Sequence, residues 1–495
     1  MSLFAKPIVA AIALLFTTVS FAETPYDLGK EVSRIRSFVS TELNAGNCSD
    51  RLKDLNDRVE RVLPQEFLLK KAKSDAKEII KSLFLTRLAL AENLRRMSKS
   101  ESLSHECISN VRRSFRIGRF VEEYLAKMAG FDQEVNVLEG EEPYLLVNPK
   151  YSSFKIQTGD ILISRGNAIV SAAIARSGDD DGHFSHAALA YVDDATQKVY
   201  VIESHVEIGL DVAPIEEKYI HDGKMRIVVY RAKDKKLAAA AAKWAYDLGT
   251  QAIKKGNPIP YDFGMDLSDE SHLFCTEVPY AAYKAASGGR FLIGDQYLTS
   301  FSPKNQNFLK GIGVLVDRTL SPSDIEFDSK LELVAEWRDL SGMDMANRKD
   351  AVMFKVFEWM EQRGYRFNLT RTVPMSYISV FVRRFPVLGN LVLGNVMSVD
   401  VTPRTVQTMM VMDLIGDKLL DDLIVAYKEH GARTGFDMTF PEMLASLDKI
   451  LLQDLEREHL LAAWKKKNVG VYDDTFPQPA DRPEDPHFVQ YFVHP

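Results

Sequence analysis

The chain has 495 residues, enough for several domains with a full apolar core. Its composition, 46% hydrophobic and 26% charged, is that of a soluble globular protein. A formal net charge of −7 argues against the basic face with which nucleic-acid binders neutralise phosphate.

Residues 1–22 read as a secretory signal: Lys6, an apolar run from Pro7 to Phe16, then Ser20 and Ala22 as the small residues before a cleavage point. The apolar run is short for a bilayer crossing, which takes about 20 residues. A retained membrane anchor is the alternative. Export to the periplasm or cell envelope sets an oxidising context for the three cysteines, Cys48, Cys107 and Cys275. An odd count implies one pair and one free thiol. Cys48 and Cys107 share the N-terminal third and polar, turn-like surroundings, so the expected disulfide is Cys48–Cys107.

Residues 23–130 form a helical region. Val32, Ile35, Phe38, Val39 and Leu43 recur at three- and four-residue steps before Gly46, and similar patterns cover 66–98 and 106–128. Each apolar stripe needs a neighbour, which predicts a small bundle whose Arg and Lys residues face solvent. From about 131 to 325 the text becomes β-rich: "KIQTGDILIS", "SHAALAYV", "KVYVIES" and "MRIVVYR" are short strands separated by turn residues. Helices at "KKLAAAAAKWAYDLGTQA" and "CTEVPYAAYKAAS" follow, with an irregular segment between them, and "SKLELVAEW" adds a last strand. Residues 326–472 are mostly helical, and 473–495 form an extended tail rich in Pro and Asp. The apolar stretch at 386–400 is broken by Gly, Asn and Pro. It reads as buried chain or a docking surface, with peripheral membrane contact as the alternative.

The chemistry concentrates around Cys275, at the start of a predicted helix. Unpaired N–H groups there favour thiolate and can donate to an oxyanion. "HAALAYV" and "KVYVIE" read as a hairpin in which Ala190 faces Val199 and His186 therefore faces Glu203. One imidazole nitrogen of His186 would bind Glu203 and the other would serve the thiol, a nucleophile–base–orienter set. His205 and Glu207 compete for the orienting role. Five histidines lie between His183 and His272 (His183, His186, His205, His221, His272), but with Cys275 they match no compact zinc spacing, so no metal and no cofactor is expected.

The ordered elements "TGDILIS", "FSHAALAYV", "VYVIES", "YDFGMD" and "LFCTEVPYAAY" resemble the permuted papain-like amidase family of the YaeF/YiiX type, related to the NlpC/P60 and lecithin retinol acyltransferase folds. The resemblance covers about residues 150–325. It implies an α+β, circularly permuted papain-like core between helical flanks, with His186 as base, Glu203 as third residue and Cys275 as nucleophile. Tyr261 resembles a cleft-lining position, and Thr276 stands where the family typically has Ser. The expected protein is an exported cysteine hydrolase acting on an amide, with cell-wall peptides as an available substrate. An acyl-lipid hydrolase or acyltransferase is the enzyme alternative, and a non-catalytic envelope scaffold the other.

Overall fold

The computed structural model describes residues 27–63, 70, 72–100, 103–131, 143–145, 154–178, 182–220, 224–294, 297–301, 306–372, 402–468 and 479–494. The expected signal at 1–22, His221 and the apolar stretch at 386–400 lie outside the described residues.

Among the described residues, four helices form the N-terminal bundle: α1 (Leu28–Thr41), α2 (Cys48–Val62), α3 (Ala76–Ser100) and α4 (His105–Met128). Their apolar stripes meet in one core built on Val32, Val39, Leu52, Val59, Ile80, Phe84, Val111 and Leu125. Asp27 caps α1 and Ser104 caps α4 by accepting backbone N–H groups, which satisfies donors that the first helical turn leaves open. Cys48 and Cys107 are disulfide-bonded, with Cα atoms 5.1 Å apart, tying the starts of α2 and α4 together.

The centre of the molecule is a seven-stranded sheet of strands β1 (Tyr144–Leu145), β2 (Ile161–Arg165), β3 (His186–Val192), β4 (Val199–His205), β5 (Gly209–Pro214), β6 (Arg226–Ala232) and β7 (Leu331–Arg338). The spatial order is β1-β7-β6-β2-β3-β4-β5, antiparallel except for the β1–β7 pair. β7 lies inside this sheet, so the sheet domain extends to Arg338 and past the expected boundary at 325. A strand made of Leu, Val, Ala and Trp is stable only where its backbone finds partners, and β6 supplies them. Strand alternation sorts the core into two. Ile161, Ile163, Ala187, Leu189, Ile202 and Val228 meet α6 (Lys235–Lys254) and α7 (Glu277–Ser287). Leu162, Ala188, Ala190, Val201, Ile227 and Val229 pack on the other face with Ile215 and Tyr219. Gly159, before β2, has φ near 90°, and a Cβ there would stand 2.5 Å from the Ala238 Cβ of α6. Only glycine satisfies both demands.

After the short helix α8 (Gln306–Ile312), the C-terminal helices α9 (Leu340–Arg363), α10 (Pro403–Thr434) and α11 (Phe440–Lys467) enclose a further core. They cover α5 (Ile169–Arg176), which follows β2, with Gly416 of α10 against Ile169. The described part of the tail docks on this layer. Buried Asp454 accepts the backbone N–H groups of His487, Phe488 and Val489, at 2.6, 2.8 and 2.9 Å, and Phe488 is fully buried.

The bundle's arginines do not all face solvent as its helical pattern suggested. Arg87 of α3 and Arg119 of α4 are buried and bind Glu336 of β7, at 2.8 and 3.3 Å. Arg338 binds the same carboxylate at 2.8 Å. Glu122 takes Arg87 at 2.8 Å, and Glu123 takes Arg226 and Arg338 at 2.7 and 2.8 Å. Burial alone would raise the Glu336 carboxyl, but Arg87, Arg119 and Arg338 hold it well below the ordinary carboxylate range. Amphipathic periodicity cannot foresee this pairing, because the partners lie more than 200 residues apart.

Glu336→Ala should destabilise the chain by about 3–5 kcal/mol, since it leaves three buried guanidinium groups short of their counter-charge. The midpoint of urea unfolding reads this. The double variant Cys48→Ala/Cys107→Ala should cost about 2–5 kcal/mol in the same measurement.

Candidate active site

β3 and β4 bring the three polar residues together. Ala188, not His186, is the ladder partner of Glu203, so the hairpin lies two residues from the expected register. A slip of two preserves the face, because side chains alternate with period two. His186 and Glu203 therefore still point the same way. The His186 Nε2 lies 2.6 Å from Glu203 Oε2. The same slip brings His205 across from His186, and their rings stack with centroids 5.2 Å apart. His205 Nε2 stands 3.0 Å from the other carboxylate oxygen, Oε1. Glu203 and His205 thus do not compete for one role; both take part, with the carboxylate between two imidazoles. Glu207 sits on the turn after β4.

Cys275 lies just ahead of α7, whose N-cap is Thr276, so the thiol precedes the first helical residue by two positions. The turn that holds it is pinned on several sides. Ser204 Oγ donates to the Leu273 carbonyl, and Leu273 N–H donates to the Pro260 carbonyl at 3.1 Å. Phe274 N–H donates to Glu277 Oε2 at 3.3 Å, and Glu277 N–H returns to the Phe274 carbonyl at 3.0 Å. Thr276 Oγ1 donates to the Leu320 carbonyl at 2.6 Å, so its hydroxyl is committed to the fold and not to an oxyanion. Further along, the Tyr283 hydroxyl donates to the Gly159 carbonyl at 2.7 Å and ties α7 to the entry of β2. Ser204 carries the alternate face of the strand that bears Glu203. Only the fold reveals that it secures the nucleophile loop.

Backbone N–H groups of Ala187, Thr276 and Cys275 itself lie near enough to the Cys275 sulfur to favour its thiolate. Ala187 is the neighbour of His186, which sets the sulfur beside the start of β3. Burial pushes the thiol up to about 11, against those N–H groups. The helix start alone suggested a lowered value, but the loss of water around the sulfur outweighs it. Burial also lowers His186, with Lys224 adding to it and Glu203 opposing, to about 4. Burial would raise the Glu203 carboxyl, but His186 and His205 hold it well below the ordinary range. At neutral pH the site therefore rests as a protonated thiol, a neutral imidazole and a carboxylate. Nε2 of His186 is engaged by Glu203, which leaves Nδ1 outside that contact.

A narrow cleft of about 40 Å3 opens beside Cys275. Phe274, Phe301, Met265 and Leu320 make much of its wall, with Tyr261 at one side and Arg112 of α4 at another. Tyr261 is buried, packs edge-on against Phe263 at 5.2 Å, and has its hydroxyl raised well above the usual value by burial and by Cys275 nearby. It is placed in the cleft as its sequence position implied. Asp160 accepts Gln157 N–H at 2.8 Å and binds Arg231, so it caps the turn before β2.

The remaining histidines separate. His183 is buried against Phe120, with Arg226, Arg176 and Arg119 near enough to push its ring well below the usual range after burial itself. His272 is on the surface with Ser271 and Asp269. Neither joins Cys275 in a metal-like cluster. The three residues that do converge, His186, Glu203 and His205, are scattered along the chain in a way that linear spacing does not flag.

The charges around His186 predict two opposite shifts in the acid limb of kcat/KM. With its folded value lowered to about 4, His186 stays deprotonated and competent as pH falls below the usual imidazole value of about 6.5. Activity should fall only as pH approaches 4. Lys224→Met removes a cation and should move that limb upward, whereas Glu203→Gln removes an anion and should move it downward. A pH–rate profile of each variant measures the directions.

Residues 155–309 match the family described as permuted papain-like amidase enzyme, YaeF/YiiX, C92 family. No curated protein matches the chain. Among solved structures, the metalloprotein yiiX from Escherichia coli O157:H7 (DUF1105) is similar at 24% identity over 37% of this chain and 99% of that chain, with a TM-score of 0.29. The matched residues include His186, Glu203 and Cys275, so residues 155–309 are similar to the permuted papain-like amidases in the segment that carries all three.

Proposed function

We propose that this chain is an exported cysteine hydrolase that cleaves an amide in cell-wall peptides through a thioester. The observation that carries the reading is the pair His186–Glu203 at 2.6 Å, next to Ala187, whose backbone N–H lies near enough to Cys275 to favour its thiolate. The Cys48–Cys107 bond is compatible with an exported protein. Among the described residues no helix is long and apolar enough to cross a membrane.

The proton inventory shapes the mechanism. A thiol near 11 and an imidazole near 4 do not form a resting ion pair. The Cys275 proton passes to His186 Nδ1 as the sulfur–carbon bond forms, so that proton transfer and attack share one barrier. Glu203 and His205 stabilise the imidazolium as it develops. The N–H groups of Ala187, Thr276 and Cys275, which already face the sulfur, are the available donors for the developing oxyanion. His186 then returns its proton to the amine as the carbon–nitrogen bond breaks. A water, deprotonated by His186, attacks the thioester and frees the acid and the thiol.

The apolar wall of Phe274, Phe301, Met265 and Leu320 supports a second reading, an acyl-lipid substrate, because each buried methylene contributes about 0.8 kcal/mol. Incubation with peptidoglycan fragments and, separately, with diacyl phospholipids separates the two. New amines from the fragments sustain the amidase. Fatty acid release without them reverses the order.

Cys275→Ala should abolish labelling by a thiol-reactive acyl probe. His186→Ala should lower kcat/KM by about 100-fold or more, the usual worth of a general base. Glu203→Gln should lose less, since its amide carbonyl still accepts the ring N–H. Intact turnover in Cys275→Ala would end the thiol reading.

A further inference from the structure

We propose that His186, Glu203 and His205 form a binding site for a divalent zinc-like ion, and that the ion, when bound, switches off the thiol reaction by occupying its base. The inhibitory part rests on the thiol reading above; the binding site does not.

The strands bring the donors together. Glu203 and His205 are two apart on β4 and so share a face, and His205 stands across from His186 of β3. One ligand atom from each of the three lies within 4.8 Å of the others. In a tetrahedral zinc site with bonds of about 2.0–2.1 Å, neighbouring ligand atoms stand about 3.3 Å apart. His186 lies 2.6 Å from one Glu203 oxygen and His205 3.0 Å from the other, so the carboxylate already stands between the two rings. Two imidazoles and one carboxylate with a fourth position open is a donor set that zinc takes in hydrolytic sites.

A separate observation marks this spot. His205 Nε2 and Glu203 Oε1 face one another at 3.0 Å, yet neither makes a hydrogen bond of acceptable geometry, and both atoms are buried. The hydroxyls of Tyr219 and Ser164 are buried beside Glu203. Buried polar atoms are almost always satisfied, so a ring nitrogen and a carboxylate oxygen that meet without a well-directed bond leave room for a further partner. An ion satisfies the ring nitrogen and the carboxylate oxygen directly. The two hydroxyls can then bind the carboxylate or an ion-bound water, as neighbours of metal ligands do.

The consequence for the reaction follows from the tautomers. Without an ion, His186 carries its proton on Nε2, toward Glu203, and keeps a lone pair on Nδ1. An ion needs the Nε2 lone pair, so the proton moves to Nδ1 and the ring no longer accepts one from the thiol. No proton is gained or lost overall.

The full chain, stripped with a chelator, is titrated with Zn2+ and with Co2+, reading stoichiometry after dialysis and the cobalt visible spectrum. The site requires one ion per chain, retained in Cys275→Ala. In His205→Gln, affinity should fall by more than about 100-fold, since loss of a ligand's neighbour alone costs about 10–100-fold. His205→Ala, checked for folding by circular dichroism, guards against a glutamine that still ligates. Added zinc should suppress acyl-probe labelling of the wild type but not of the His205 variants. Absence of binding, or equal binding by wild type and both His205 variants, overturns the site and leaves the thiol reading to stand on Cys275→Ala. Zinc-dependent activity that survives Cys275→Ala overturns the inhibitory role and the thiol reading together.

Discussion

Glu336 has no exposure to solvent, and three guanidinium groups from three elements meet on it. Isolated, such a carboxylate would cost several kcal/mol to bury. It is tolerable only when α3, α4 and the end of β7 are all in place, so the charges act as a register for docking the bundle on the sheet. The same logic recurs nearby. Arg119 and Arg112 of α4 pair with Glu326 and Asp324, both on the short turn Pro322–Phe327. That turn's Ser323 Oγ accepts the N–H groups of His183 and Phe184, at 3.0 and 3.4 Å, directly before the strand that begins at His186. A continuous path of buried polar contacts thus runs from the N-terminal bundle to the catalytic strand. Arg112 and Ser323 also line the cleft beside Cys275, so the bundle completes a wall of the site.

The C-terminal layer is attached by a similar device on the other side. Arg165, the last residue of β2, binds Asp350 of α9 at 2.7 Å, and both side chains are buried. Ser164, one residue before, pairs with His186 in the ladder. The family match ends at 309, yet β7, the turn at 322–327 and the arginine partners beyond it are structural parts of the same unit. The flanks are therefore not appendages. They hold the sheet from both sides by charges that cannot be left unpaired.

At the site itself, burial is the dominant force on both reacting groups, and it acts in opposite directions on a thiol and an imidazole. Each is kept neutral. A neutral thiol is a poor nucleophile, so in the proposed reaction the sulfur attacks a substrate carbonyl as its proton leaves. Glu203 makes that step feasible. It is the one group in the cluster held charged, and two imidazoles share it.

Much of this was legible in the residues. Period-two alternation in "HAALAYV" and "VYVIES" placed His186 and Glu203 on one face, and that conclusion survived a register error of two because only odd slips change the face. Cysteine number and context were enough for the Cys48–Cys107 pair, and ordered motifs for the permuted core. Other features depend on distance in space and leave no local trace. Arg87 and Arg119 look like surface residues on amphipathic helices until Glu336, more than 200 positions away, is brought against them. The thiol's tuning was also decided in three dimensions, because a helix start is visible in sequence but the removal of water around Cys275 is not. The pairing of His205 with Glu203 belongs to the same class. Local pattern determines which face a side chain takes, whereas strand register, burial and charge compensation are properties of the packed molecule, and those set the chemistry.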